Sequence, residues 1–266
     1  MKLSYFELLS PDPIYIQNVG GILSPKLKDI SSPSVGINTY QFYLTIILMD
    51  LKTYFSMIGQ DEQFNSLTDE DKMQLNIYDL FTANEEIASQ VANTLNFFIK
   101  ENVIYSKEHK CFLTMDKVLV EENGEEVEKY EMVGMITKEI YPQVCDLICQ
   151  RINIQSNQEE DLSKIKSKKA LEIMKKLQKG RAEKEKNTKS DKNMELGNII
   201  SAVANKSQSL NIINIWEITV YQLWDCFSRI SNNNIYDIQS MSVAAYGNKD
   251  NYFDSTAWFK RIGTTN

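Results

Sequence analysis

The residues best suited to chemistry are the single histidine and three cysteines in the middle of the chain. Cys145 and Cys149 stand one helical turn apart, so their thiols share one face of a predicted helix. His109 and Cys111 stand two residues apart, near the end of a predicted strand. Imidazole and thiolate are ligands that zinc prefers, in a tetrahedral shell. These four side chains could hold a zinc ion if the fold brought them together.

The surroundings of these cysteines favour a structural role instead. The spacing Cys-x-x-x-Cys is looser than the Cys-x-x-Cys of a typical zinc knuckle. Cys145 and Cys149 also border an apolar helix face that contains Val144 and Ile148, where a free cysteine acts as a small hydrophobic residue. We therefore predict core positions for the cysteines, with a zinc site and a redox role as the weaker alternatives.

The sequence contains no recognisable catalytic motif. Because His109 is the only histidine, neither a His-dependent triad nor a multi-His metal centre can be assembled. Gly20 and Gly21 are followed by Ile-Leu-Ser-Pro and not by Gly-Lys-Ser/Thr, so they do not form a phosphate-binding loop. Carboxylates are spread along the chain, and no pair stands out for acid–base catalysis. We predict a protein that is not an enzyme and needs no cofactor.

A basic connector is the next candidate for function. Residues 164–192 contain twelve Lys or Arg and four acidic residues, a net charge of +8, while the whole chain carries −7. A thin apolar stripe predicts a helix up to Gly180, and the segment beyond it predicts a flexible linker. A solvated helix and linker is the favoured interpretation, followed by contact with a protein partner and then with nucleic acid. The candidate contact residues are Lys168, Lys169, Lys175, Lys176, Lys179 and Arg181.

Aromatic residues are concentrated in the C-terminal part, which contains all three tryptophans. Helical spacing from Val220 to Ile230 predicts that most of them lie in a core. Several rings surround a predicted turn at Gly247, and a turn has little capacity to bury them, so some are expected to anchor another protein. The candidate partner-binding residues are Trp224, Tyr246, Tyr252, Phe253, Trp258 and Phe259.

Composition limits the class of protein and its compartment. Hydrophobic residues make up 42% of the 266 residues, and ten Gly with five Pro are too few for a fold built from many tight turns. An acidic chain of pI about 5.0 could meet nucleic acid only through a local patch. Four cysteines do not make a disulfide scaffold, and the start of the chain does not resemble a signal peptide. We expect a cytoplasmic protein without a membrane span.

Hydrophobic periodicity predicts mainly helices with one small antiparallel sheet. Thr82 and Glu85 form a capping-box pattern before an apolar face that contains Val91 and Leu95. The period then changes to two, and Asn123-Gly124 is typical of a hairpin turn. Three consecutive asparagines, 232–234, are expected to break the C-terminal helix.

The predicted domains are an extended arm (1–38), a helical domain with a β-hairpin insertion at about 103–137 (39–155), a basic helix and flexible linker (156–193), and an aromatic-rich helical domain (194–266).

Two C-terminal stretches carry a resemblance to known proteins. These are WEITVYQLWDCFSRI at 216–230 and MSVAAYGNKDNYFDSTAWFKRI at 241–262. They resemble uncharacterised proteins from the morphogenesis region of tailed phages and prophages of Gram-positive bacteria. Tail assembly chaperones are similar in plan, with a helical N-terminal domain, a charged linker and a short C-terminal domain. The resemblance implies binding to tail or head subunits and supplies no catalytic residue.

Together these patterns favour a bacteriophage virion assembly or structural-interaction protein that acts by protein–protein binding. Its expected partners are other protein subunits, such as phage tail or head proteins, and self-association is a further expectation. Its expected location is the host cytoplasm or the virion. The alternative is a nucleic-acid-binding accessory protein that uses the basic connector, and an enzyme ranks third.

Overall fold

The computed structural model describes residues 1–122, 125–154, 192–248 and 253–261. Contacts within the chain divide it into two units, Met1–Ser156 with Glu217–Tyr221, and Asn157–Trp216 with Gln222–Asn266. Helices predominate, and the described strands form two small antiparallel sheets. The predicted fold class, mainly α with a small antiparallel sheet, is confirmed. No helix in the described part of the chain has the length and apolarity needed to cross a membrane.

The described part of the first unit contains nine α-helices. They are α1 (Tyr5–Leu9), α2 (Leu27–Ser31), α3 (Gly36–Ile47), α4 (Leu51–Met57), α5 (Asp61–Ser66), α6 (Asp69–Gln74), α7 (Ile77–Ala83), α8 (Glu85–Phe98) and α9 (Tyr141–Arg151). The strands are β1 (Ile14–Ile16), β2 (Gly20–Ile22), β3 (Asn102–Ser106), β4 (Cys111–Glu122) and β5 (Glu125–Ile136). β1 pairs with β2, and the second sheet has the order β3-β4-β5.

Helix α8 supplies much of the core, on the face that its sequence predicts. Val91, Leu95 and Phe98 are completely buried. The helix begins two residues later than the capping pattern at Thr82 predicts, because Asn84 accepts hydrogen bonds from the backbone N–H groups of the first turn. Thr82 instead lies inside α7, where its hydroxyl donates a hydrogen bond to the backbone carbonyl of Tyr78, one turn earlier. The apolar periodicity therefore predicts the buried face better than it predicts the end of the helix.

Aromatic side chains join α7, the larger sheet and α9. The ring of Tyr78 packs edge-on against Phe112 and Tyr141, with centroid distances of 5.7 and 5.5 Å. The Tyr78 hydroxyl donates to the carbonyl of Ile136 at 2.7 Å. Burial raises the pKa of Tyr78 above its usual range, so this hydroxyl stays a donor. The cluster fixes one face of the sheet against the helices.

Residues 1–38 differ from the extended arm that their prolines predict. They form α1, β1, β2 and α2, and Ile22 pairs across an isolated bridge with Ile99. Val19 and Ile22 are completely buried, so this segment belongs to the core of the first unit. The physical reason is that the four prolines lie in the connections between elements, where a fixed φ and a missing N–H are tolerated.

A buried arginine fastens this N-terminal segment to the end of α9. The guanidinium of Arg151 donates to the carbonyl oxygens of Glu7 at 2.6 Å, Ser10 at 3.0 Å and Asp12 at 2.8 Å. Arg151 is completely buried, and this burial lowers the pKa of its guanidinium. Next to it, Gln150 accepts from the backbone N–H of Leu3 at 2.8 Å. The end of α9 therefore organises residues that lie far away in sequence.

The larger sheet occupies the segment where the sequence predicted one. β4 is continuous over Cys111–Glu122, and it pairs with β5 from Phe112 to Glu122. The turn at Asn123-Gly124 lies outside the described residues. Gly134 of β5 passes so close to Asn18 that an added Cβ would lie 2.1 Å from the Asn18 carbonyl oxygen. This close approach explains why glycine occupies the position.

The second unit is described from Lys192 onwards. Its α-helices are α10 (Leu196–Lys206) and most of α11 (Val220–Tyr246), whose first two residues fall in the first unit. Short 3-10 helices occupy Lys192–Met194, Ile215–Glu217 and Ala257–Phe259. Ile199, Ile200 and Val203 of α10 are buried, in keeping with the helical spacing of its apolar residues. The predicted connector, including Lys168, Lys169, Lys175, Lys176, Lys179 and Arg181, lies outside the described residues except for Lys192 and Asn193.

Candidate protein-interaction surface

Helix α11 is the main element of the second unit and is 27 residues long. It passes through the three asparagines at 232–234, so the predicted helix break there is wrong. Asparagine in a helix costs only about 0.7 kcal/mol relative to alanine, which tertiary contacts readily offset. One such contact is present, because the Asn232 amide donates to the carbonyl of Ala257 at 2.9 Å.

The described C-terminal residues cover one face of α11. The rings of Tyr236 and Phe253 pack with their centroids 5.4 Å apart. Arg229 donates to the carbonyl of Lys260 at 2.7 Å, one turn before the contact made by Asn232. Positions 229, 232 and 236 follow helical spacing and share one side of α11. The terminal segment is therefore held along this side at several points.

A hydrogen-bonded turn positions the last aromatic pair. Asp254 accepts from the backbone N–H of Thr256 at 2.9 Å and from its hydroxyl at 2.6 Å, and it forms an ion pair with Lys260. The Lys260 ammonium and the Thr256 hydrogen bonds hold the pKa of Asp254 well below its usual range. The carboxylate therefore stays ionised at neutral pH and keeps the turn closed.

The 3-10 helix after this turn presents Trp258 and Phe259. Their rings pack edge-to-face with centroids 5.0 Å apart. Trp258 is 53% exposed and Phe259 is 56% exposed. Exposed aromatic side chains held in a fixed geometry are typical anchors of protein–protein contacts.

The opposite side of α11 carries three apolar side chains that are open to solvent. Ile235, Ile238 and Met241 are 56%, 65% and 64% exposed, and we call this set the exposed face. Tyr246, at the end of the helix, is 80% exposed. Only Asp237 is charged between residues 230 and 246. Contiguous exposed apolar residues mark interaction sites more often than isolated ones do.

The predicted partner-binding residues occupy different environments. Tyr246, Trp258 and Phe259 are exposed. Trp224 is half-buried and packs edge-on against Phe227 at 6.1 Å, and Phe253 is half-buried against Tyr236. Tyr252 lies outside the described residues.

Sequence reasoning missed the exposed face itself. The spacing of Ile235, Ile238 and Met241 at every third residue was a usable signal. It was hidden because the asparagine triplet appeared to separate this stretch from the preceding helix.

The candidate zinc ligands do not form a metal site in the described part of the chain. No group of three or more His, Cys, Asp or Glu residues is placed there to hold a metal ion. His109 is exposed in the turn between β3 and β4, whereas Cys111 and Cys149 are buried. Burial raises the pKa of Cys145 and Cys149 to about 12 and also raises that of Cys111. At neutral pH these thiols are protonated, which is unfavourable for metal binding or nucleophilic attack.

One family model matches the C-terminal part of the chain. Residues 185–263 match the family model of the YomV second domain. YomV is a protein of Bacillus phages and prophages, so this YomV-like part is similar to a domain of a phage protein. It covers less than a third of the chain and includes the exposed face, Trp258 and Phe259. No curated protein matches the chain. No solved structure matches it either.

Proposed function

We propose that this protein acts in the assembly of a phage-type virion by binding other protein subunits through its second unit. The observation that carries the proposal is the exposed face of α11, whose three apolar side chains are each more than half exposed. All three lie in the YomV-like part. Covering apolar surface of this kind with a partner removes it from water and stabilises the complex.

The chemistry of the exposed face favours a protein partner over nucleic acid. Binding to phosphates depends on Lys and Arg, and residues 230–246 contain neither. Apolar helix faces instead pack into apolar grooves or against other helices. We therefore propose subunits of the tail or head as the partners, met in the host cytoplasm or in the particle.

A binding role also agrees with the state of the thiols. Raised pKa values keep Cys145 and Cys149 protonated at neutral pH, and the thiolate is the nucleophilic form. We propose that the protein works without a catalytic step. In this respect it would resemble the tail assembly chaperones, which are similar to it in plan.

Affinity purification from cells that carry the encoding phage or prophage tests this proposal. The full chain is compared with a variant in which Ile235, Ile238 and Met241 are each replaced by serine. We expect the full chain to recover virion subunits, identified by mass spectrometry, and the variant to recover at least about tenfold less because hot-spot residues dominate such contacts.

The matched control is Phe6→Ser, which changes an 84% exposed apolar residue in the first unit. This variant should recover the subunits as the unchanged chain does. Recovery of no virion subunit by the full chain, or equal recovery by all three proteins, would contradict the proposal. Circular dichroism of each variant shows whether α11 is still helical.

A further inference from the structure

The larger sheet of the first unit has two edges, and the β3 edge is closed. The strand order β3-β4-β5 places β3 and β5 at the two sides of the sheet. On the β3 side, the Asn96 side chain of α8 donates to the carbonyl of Val103 at 2.7 Å and accepts from the Val103 N–H at 2.6 Å. Bonding these backbone groups within the chain protects the edge from pairing with another strand.

The β5 edge is covered near its C-terminal end. The Met135 N–H donates to the carbonyl of Asn18 at 2.9 Å, and Gly134 passes close to the same residue. Residues 128–133, before this contact, are all exposed, and we call them the open edge. β4 pairs with the open edge on one side, and no other strand in the described part of the chain pairs with it.

The side chains of the open edge are suited to an added strand. Tyr130, Met132 and Val133 are 57%, 58% and 41% exposed. The open edge also contains no proline, which would interrupt the backbone hydrogen bonds of a neighbouring strand. An exposed edge strand with apolar side chains is a template on which a strand of another chain can pair.

The charge pattern of the open edge fits a second copy of itself. When two identical strands pair antiparallel, a two-fold axis passes through one residue, and residues equally distant from it lie opposite each other. An axis at Tyr130 places Lys129 of each copy opposite Glu131 of the other. Two pairs of opposite charges then lie directly across the strand pair, where such pairs are stabilising.

Other registers of the same strand pair are less favourable. An axis at a charged residue of the open edge places that residue opposite its own copy, and like charges there are destabilising. An axis at Met132 or Val133 extends the pairing onto Gly134 and Met135, where Asn18 already lies. The axis at Tyr130 avoids both problems.

We propose that β5 pairs antiparallel with β5 of a second copy of this chain, through the open edge and about an axis at Tyr130. The two three-stranded sheets then form one continuous sheet of six strands. Backbone hydrogen bonds hold the two strands together, and the charges of Lys129 and Glu131 fix the register. This contact is separate from the exposed face of α11 and does not depend on the function proposed above.

Charge reversal tests the proposal with the full chain. Sedimentation over a series of concentrations should show a dimer of the unchanged chain. Lys129→Glu and Glu131→Lys should each weaken the dimer at least about tenfold, because each change places like charges opposite each other twice. Lys52→Glu, the same change of charge at an exposed position in α4, should leave the dimer as it is.

Mixing the two single variants identifies the register. In a mixed pair every Glu at positions 129 and 131 lies opposite a Lys of the other copy, so the mixture should dimerise about as tightly as the unchanged chain. The double change Lys129→Glu with Glu131→Lys should also restore the dimer, because it exchanges the two charges. Circular dichroism of each variant shows that the first unit is still folded.

Three results would overturn the proposal. They are an unchanged chain that stays monomeric at every concentration, single variants that dimerise like the unchanged chain, and a mixture that stays monomeric. The variant with serine at Ile235, Ile238 and Met241 should dimerise like the unchanged chain. A dimer that this variant loses and both charge variants keep would show that the copies meet through α11 instead.

Discussion

At the scale of single residues, Arg151 shows how a buried side chain can fasten distant parts of the chain through hydrogen bonds to backbone carbonyls. Its guanidinium serves three backbone carbonyls that lie 139 to 144 residues earlier in the chain. Nothing near Arg151 in the sequence indicates this role, because its partners are set by the fold. Periodicity places Arg151 at the end of a helix but does not predict its hydrogen-bond partners.

Replacing Arg151 with methionine should destabilise the first unit by about 3 kcal/mol or more, because three backbone carbonyls lose charge-assisted hydrogen bonds. Urea denaturation measures the change in the free energy of unfolding. The control is Lys107→Met, which removes an exposed ion pair with Glu85 and should cost less than about 1 kcal/mol. Equal losses in the two variants would contradict the role assigned to Arg151.

Replacing glycine with alanine should have opposite effects on stability at two positions. Gly134→Ala should destabilise the protein by about 1–3 kcal/mol, because the new methyl group would collide with the backbone of Asn18. Gly197→Ala, in α10, meets no atom within 4 Å and should stabilise it by up to about 1 kcal/mol. Thermal unfolding followed by circular dichroism measures both. A stable Gly134→Ala variant would show that the hairpin at Asn18 and β5 do not approach so closely.

The raised pKa values of Cys145 and Cys149 predict that thiol labelling and folding stability depend on pH. Because the pKa of Cys145 and Cys149 is raised to about 12, iodoacetamide at about pH 8 should modify neither in the folded protein and both in urea, where an ordinary thiol titrates near 8.5. As the pH rises above about 9, the unfolded thiols ionise first, so folding stability should fall.

Mass spectrometry of the labelled peptides checks the thiol prediction. A chelator should leave the protection of Cys145 and Cys149 unchanged in the folded chain. Rapid labelling of the folded protein, or labelling that begins only when a chelator is added, would contradict the core role. Labelling that requires the chelator would instead support the zinc site.

At the scale of elements, the sequence predicted helix faces with periodic apolar residues. It missed short elements that are stabilised by contacts between residues far apart in the chain. The apolar face of α8 at Val91 and Leu95 follows from spacing alone, since every third or fourth residue must face the core. The small helices and strands of residues 1–38 could not be predicted, because segments of three to five residues have no period to recognise. Their stability comes from burial of residues such as Ile22.

In the C-terminal part, the sequence prediction and the structure differ most at helix α11, which does not break at the asparagines. Asn233→Pro should destabilise the second unit by about 3 kcal/mol, since proline removes a hydrogen bond and clashes inside a helix. Asn233→Ala, at the same exposed position, should be neutral or slightly stabilising. Ellipticity at the helical minimum and the unfolding midpoint measure both variants. A harmless proline would show that the helix does break at the asparagines.

At the scale of the whole molecule, the candidate partner-binding residues lie in the C-terminal part of the chain. The exposed face of α11 there is almost uncharged, because Asp237 is the only charged residue in the sequence between residues 230 and 246. The exposure of Trp258 and Phe259 was predicted from the sequence, because a turn cannot bury many rings. The exposed face of α11 was not, since the predicted helix break at the asparagines separated its residues from the preceding helix.

The basic connector remains a sequence prediction. Its lysines lie outside the described residues, so the nucleic-acid alternative rests on their charge alone. The match to the YomV second domain begins at residue 185, near the end of that segment. It supports the phage relationship, while the tail or head partner is our proposal.

Site-specific photo-cross-linking in cells that carry the encoding phage or prophage tests the central claim most directly. A photoreactive phenylalanine analogue replaces Ile238 of the exposed face, and in a separate control it replaces Phe6. We predict that position 238 yields a covalent adduct with a virion subunit identified by mass spectrometry, and that position 6 yields none. No adduct at position 238, or the same adducts at both positions, would contradict the claim that the second unit binds its partner through α11.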